Sequence, residues 1–207
     1  MYLTEHQNDA LTELINIAFS RTAASLSDLT GHRVLLDVPH VEVHPINDLA
    51  SILSRFVTGE VATIHQTFKG AVSGDALLLL NYEGAVMLTY LLTDEPVQSN
   101  RLDASAKEVL TEVGNILLNA CLGMFGNLLK VHLIFSVPQL ELESLNGVVN
   151  SLITGKEELH YALVIHTSFR LKDGQVNGYM MIVLGVASLE RLIEAVEDWQ
   201  ARLTRGA

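Results

Sequence analysis

A polar pattern that occurs twice constrains this chain more than anything else in it. Asp9, Glu13, Asn16 and Ser20 are spaced four, three and four apart, and Glu108, Glu112, Asn115 and Asn119 repeat that spacing. Each Asn is followed 23 residues later by a proline, Pro39 or Pro138, so every position of the set is shifted by 99. Such an offset in 207 residues reads as one domain made of two repeats, about 1–97 and 98–207. The segment from Thr93 to Arg101 is the expected link. The length is ample for two halves that share a core.

Hydrophobic periodicity fills in the elements. A helix is expected from Asn8 to about Ser27, with Thr4 or Asn8 as its cap. Strands follow at Arg33–Val38, stopped by Pro39, and at Val41–His44, then a short helix at Ile46–Leu53. Val61–Phe68 and Ala71–Leu80 read as longer strands joined by a tight turn at Lys69-Gly70, and a further helix runs to about Leu92. The second half replays this order. A helix spans about Asp103–Leu129, with strands at Val131–Val137, Leu140–Leu145, Leu159–Leu171 and Val176–Leu184, a short helix at Gly147–Ile153, and a closing helix at Ser188–Leu203. Val72-Ser73-Gly74 is echoed by Val176-Asn177-Gly178 at an offset of 104, so about five residues were gained between, most simply in the 151–173 hairpin. The expected class is α+β, internally duplicated and pseudo-two-fold, with a largely antiparallel sheet covered by long helices.

Composition narrows the function. Apolar residues make up 49% and charged residues 18%, so most elements should be covered on more than one side. No uninterrupted apolar run approaches the eighteen or so residues of a membrane span, Tyr179–Ala187 being the best candidate. The N-terminus shows no basic segment leading into an apolar one, so no secretory signal is expected. One cysteine, Cys121, excludes an intrachain disulfide and fits a reducing cytoplasm. A net charge of −11 argues against nucleic acid or anionic lipid as the main ligand.

On a helix, Glu13 with Asn16, and Glu112 with Asn115, project side by side. The plain reading is a solvated stripe. Against it stands the recurrence: a merely solvated face needs no particular side chains, and Lys or Arg would serve solubility better. A carboxamide is neutral and both donates and accepts. It can hold a water in line with a phosphoryl group without adding negative charge beside it, and positioning is most of what phosphoryl transfer to water requires. The Glu would be repelled by the phosphate and more plausibly pairs with a partner's lysine. Neither half carries a Gly-rich phosphate loop or an Asp cluster for magnesium, so the metal and the phosphoryl group would arrive on the partner.

With these residues in hand, the sequence resembles the CheC/CheX/FliY phosphatases of bacterial chemotaxis. Their signature is Asp or Ser, three residues, Glu, two residues, Asn, and Pro after 22 more. Asp9, Glu13, Asn16 and Pro39 match in full, and Glu112, Asn115 and Pro138 match in the second copy, where Glu108 stands at the Asp or Ser position. Two copies in this length are similar to CheC, and Val41-Glu42-Val43 leading to Pro45-Ile46 adds to that likeness. The resemblance implies hydrolysis of the aspartyl phosphate of a CheY-type response regulator. Asn16 and Asn115 would orient the water, and Glu13 and Glu112 would contact the regulator's lysine. Magnesium would come with the substrate, and no cofactor would belong to the chain itself. The receptor deamidase CheD and the flagellar switch are further partners it implies, and a non-catalytic adaptor is the alternative. A duplicated chain already contains the pairing that single-copy relatives make as dimers, which favours a monomer.

Two departures from the pattern bear on the site. The second copy has Gly114 before its Asn, as the family usually does, whereas the first has Ile15, followed by Ala18-Phe19. A branched side chain there is expected to obstruct a partner's close approach. Among competing signals, His40, Glu42 and His44 alternate and would share one strand face, a start to a zinc or iron site whose plain reading is a polar edge strand. His65, His132, His160 and His166 read as ordinary sheet residues. No Gly-x-Ser-x-Gly elbow supports a serine nucleophile.

Overall fold

The chain is described here from a computed structural model, in which residues 3–93, 102–155, 160–171 and 174–206 are described. The segment expected to link the halves lies outside these residues, apart from Thr93, as does most of the turn before Gly174.

Two long helices dominate, and their caps fix their ends: α1 overruns the expected span at both ends, while α4 matches it. Helix α1 spans Glu5–Thr30. Thr4 accepts from the Gln7 backbone while the Gln7 side chain accepts from the Thr4 backbone, a reciprocal capping box. At its far end Gly31 adopts φ of +68°, the left-handed conformation that glycine takes without a Cβ penalty. Helix α4, Ala104–Leu129, begins with Asp103 accepting from the Ala106 backbone at 2.8 Å and ends with Lys130 in the left-handed region.

Between them lie strands β1 (Val34–Leu36), β2 (His40–Pro45), β3 (Glu60–Gly70) and β4 (Gly74–Asn81), the short helix α2 (Leu49–Leu53) after a 3-10 turn, and helix α3 (Tyr82–Thr93). After α4 come β5 (Leu133–Phe135), β6 (Gln139–Ser144), α5 (Leu145–Gly155), β7 (Tyr161–Leu171), β8 (Gly174–Leu184) and α6 (Val186–Gly206). The β3–β4 connection runs through residues 71–73 rather than turning at Lys69-Gly70, because the ladder continues to Phe68 opposite Gly74. His132 and His160 each lie just before a strand.

The eight strands form one antiparallel sheet in the order β1-β7-β8-β4-β3-β5, with β2 also on β7 and β6 also on β3. The class is therefore mixed α and β with an antiparallel sheet, as expected. Strands β1 and β2 lie end to end along β7, so early strands pair with a late one, and β5 and β6 lie likewise along β3.

Each of the long strands is buried on both faces, which accounts for the continuous apolar runs. Ala76, Leu78 and Leu80 of β4 and Met180 and Ile182 of β8 join the core under α1, α3, α4 and α6. Leu77, Leu79, Met181 and Val183 point the other way, into a smaller core closed by α2 and α5. Leu189, Leu192, Ile193 and Val196 of α6 are buried as their spacing predicts, with Trp199 partly so.

Helix α4 is long and apolar enough, by length and composition, to cross a membrane, with a mean hydropathy of 1.4 over its best window. A search for uninterrupted apolar runs misses it because Glu112, Asn115 and Asn119 break the run. Half of that window is buried in the protein's own core.

Candidate functional site

Helices α1 and α4 pack side by side on the same face of the sheet, and each keeps its polar stripe on the outside. Asp9, Glu13 and Ser20 are exposed on α1, with Asn16 half-buried among them. On α4, Glu108 and Glu112 are exposed, while Asn115 and Asn119 are half-buried. Apolar neighbours fix these directions: Leu14 and Ile15 flank Asn16 on the core side, and Val113 and Gly114 flank Asn115. Each helix therefore offers solvent an acid and an amide from one ridge.

The expectation about Ile15 is overturned. Its side chain is 0% exposed and Phe19 is 1% exposed, so both face the sheet and neither stands before an incoming partner. Gly114 is buried too, and a Cβ on it would stand 2.6 Å from Ile64 Cγ2. The position before the Asn thus governs how closely helix and sheet pack.

The two prolines share one structural setting. Leu36 pairs with Phe169 and His40 with His166, so residues 37–39 face only two residues of β7. Phe135 pairs with Phe68 and Gln139 with His65, so residues 136–138 likewise face two residues of β3. Pro39 and Pro138 each end a one-residue bulge, where a missing N–H costs no ladder bond.

Around the second bulge a chain of amides reaches the helix. Gln66 Nε2 donates to the Ser136 carbonyl at 2.8 Å and to Asn119 Oδ1 at 3.1 Å. Asn119 Nδ2 then donates to Asn115 Oδ1 at 2.6 Å. Sequence reading placed Asn119 on the stripe but gave Gln66 no role. Its signal was faint: one uncharged polar residue on the face of β3 that otherwise carries Ala62, Ile64 and Phe68.

His40, Glu42 and His44 share one strand face and are taken up by contacts with each other. His40 Nε2 and His44 Nε2 lie 3.4 and 3.1 Å from opposite oxygens of Glu42, so the three groups bind one another. The hydrogen bond from His44 holds the Glu42 carboxyl below the ordinary carboxylate range. Among the described residues no group of three or more His, Cys, Asp or Glu is arranged for a metal ion. Cys121 is fully buried, which pushes its thiol pKa far up and leaves it without nucleophilic character.

Comparison with known proteins agrees with the motif. No protein-family model matches the chain. The curated CheY-P phosphatase CheC of Bacillus subtilis is 22% identical over 200 residues, covering 94% of this chain and 95% of that protein. The crystal structure of Thermotoga maritima FliY superposes with a TM-score of 0.74 at 19% identity, over 96% of this chain and 99% of that one. A chain of the FliG–FliM complex from H. pylori gives a TM-score of 0.64 at 15% identity, over 93% and 100%. Motif, full-length similarity and fold converge: this chain is similar along its length to CheC, and its fold is the one seen in FliY.

Proposed function

We propose that this chain dephosphorylates a CheY-type response regulator in bacterial chemotaxis. The observation that carries the reading is the pair of outward ridges, Glu13/Asn16 and Glu112/Asn115, on a chain similar end to end to a CheY-P phosphatase. Asn16 and Asn115 are the water-positioning groups. Each Asn stands half-buried beside an exposed Glu. The water attacks phosphorus, the bond between phosphorus and the aspartyl oxygen breaks, and inorganic phosphate and a free carboxylate leave. Magnesium enters with the regulator and neutralises the developing charge. Glu13 and Glu112 anchor the regulator's lysine as exposed ion pairs. Both ridges sit on one chain, so a monomer suffices, and the cytoplasm is the compartment in which the regulator would be met.

A second reading rests on the fold. The likeness to a chain of the FliG–FliM complex favours an adaptor that docks on flagellar-switch components, or on a deamidase such as CheD, without chemistry. Replacing Asn16 and Asn115 by Ala together separates the two. The phosphatase reading expects regulator dephosphorylation to fall by about a hundredfold or more while regulator binding persists. Undiminished acceleration in that double variant overturns the assignment to the two Asn residues, and a wild-type chain that gives no acceleration leaves only the adaptor.

A further inference from the structure

Building on the phosphatase reading, we propose that Gln66 and Asn119 are positioning residues that orient the Asn115 carboxamide and make the second ridge the faster of the two sites.

The argument begins at a backbone carbonyl. An amide side chain can usually be turned over without changing its shape, but the Ser136 carbonyl can only accept. Gln66 must therefore present its NH2 group there, at 2.8 Å, and the same nitrogen reaches Asn119. Asn119 in turn must present Oδ1 to Gln66 and Nδ2 to Asn115, and Asn115 must accept through Oδ1. One fixed acceptor at the Pro138 bulge thus sets the orientation of three successive amides. Asn115 is left with both N–H groups and one Oδ1 lone pair for a water or a phosphoryl oxygen.

The arrangement is not what stability alone would select. Gln66 is 2% exposed, and its Oε1 is buried without a hydrogen-bond partner. An apolar residue would fill this inward position of β3 without that cost.

The first ridge lacks the relay. His65 pairs with Gln139 and His166 with His40, and Gln139 and His40 are 99 apart, so Thr167 occupies the place of Gln66. Its hydroxyl is buried without a partner. Ser20 occupies the place of Asn119 and donates to the Asn16 backbone carbonyl at 2.9 Å rather than to its carboxamide. Asp37, in the place of Ser136, pairs outward with Arg170. Among the described residues, nothing corresponding to the amide relay orients Asn16 from behind.

The test uses full-length protein and a CheY-type receiver domain phosphorylated with acetyl phosphate and Mg2+, with phosphate release as the readout. Asn16→Ala isolates the second ridge and Asn115→Ala isolates the first. In the Asn16→Ala protein, Gln66→Leu and Asn119→Ser should each lower kcat about tenfold or more with KM for the phosphorylated domain unchanged. Added to Asn115→Ala, the same substitutions should lower the rate no further, because they act through Asn115. Ser20→Asn with Thr167→Gln, placed in the Asn115→Ala protein, should raise its kcat. Equal losses in both backgrounds, a rise in KM alone, or no loss at all overturns the relay. Should Gln66→Leu disturb the fold in a thermal melt, Asn119→Ser at the half-buried helix position decides. An inactive wild-type chain is a separate outcome that overturns the phosphatase reading itself, and an undiminished Asn16→Ala/Asn115→Ala protein overturns its assignment to these two residues.

Discussion

Gly114 of α4 and Ile64 of β3 are packed so closely that a Cβ on residue 114 would lie 2.6 Å from Ile64 Cγ2 and 2.8 Å from its Cβ. In the first copy the corresponding helix position is Ile15, wholly buried against the sheet. The two helices therefore meet the sheet with opposite demands at equivalent places. Gly114→Ala should destabilise the protein by about 1–3 kcal/mol through overpacking, because both close atoms belong to a stiff β-branched side chain. Ile15→Ala should instead leave a cavity and cost about 2–5 kcal/mol. Chemical denaturation of the two variants checks both values.

Glu13 and Glu112 are exposed, so an ion pair made with a partner's lysine is screened by salt and individually weak. Glu13→Gln with Glu112→Gln should raise KM for the phosphorylated regulator up to about fivefold, with a smaller effect on kcat. The wild-type advantage should shrink as ionic strength rises. Steady-state kinetics at two salt concentrations measure it.

His166 predicts how the fold responds to acid. Burial first, and then the neighbouring His40, hold its pKa below the ordinary histidine value, and its ring stacks on Tyr179 at a centroid distance of 4.8 Å. The unfolded chain takes up this proton near the usual value of about 6.5, before the folded protein does. Stability is thus full above that value and falls as pH drops through it toward the folded pKa. Melting temperatures at pH 7.5 and 5.5 should show the loss, and His166→Phe, which keeps a ring beside Tyr179, should reduce it.

Much of this was legible in the sequence because periodicity reports burial. The offset of 99 located β1 with β5 and β2 with β6, and the heptad-like spacing of α6 named its buried residues. The polar stripe of α1 also faces solvent as its residue types suggest, and what the sequence left open was the surroundings of Ile15. Ile15 precedes Asn16 on a helix apolar around most of its circumference, and its full burial takes it out of a partner's path. Gln66 was silent for a similar reason: its role depends on a carbonyl 70 residues away, brought to it by a bulge. The alternation of His40, Glu42 and His44 guaranteed a shared face, and on that face the side chains contact one another.

The pairing of β1 and β2 with β7, and of β5 and β6 with β3, has a consequence for how the polypeptide can be divided. Severed between Thr93 and Leu102, each fragment would present a long strand stripped of its neighbour, an edge inviting aggregation. Produced together, the same fragments should find each other and elute as one species on gel filtration. The peptide bonds at that junction would then be dispensable, whereas the mutual embrace of the fragments would not.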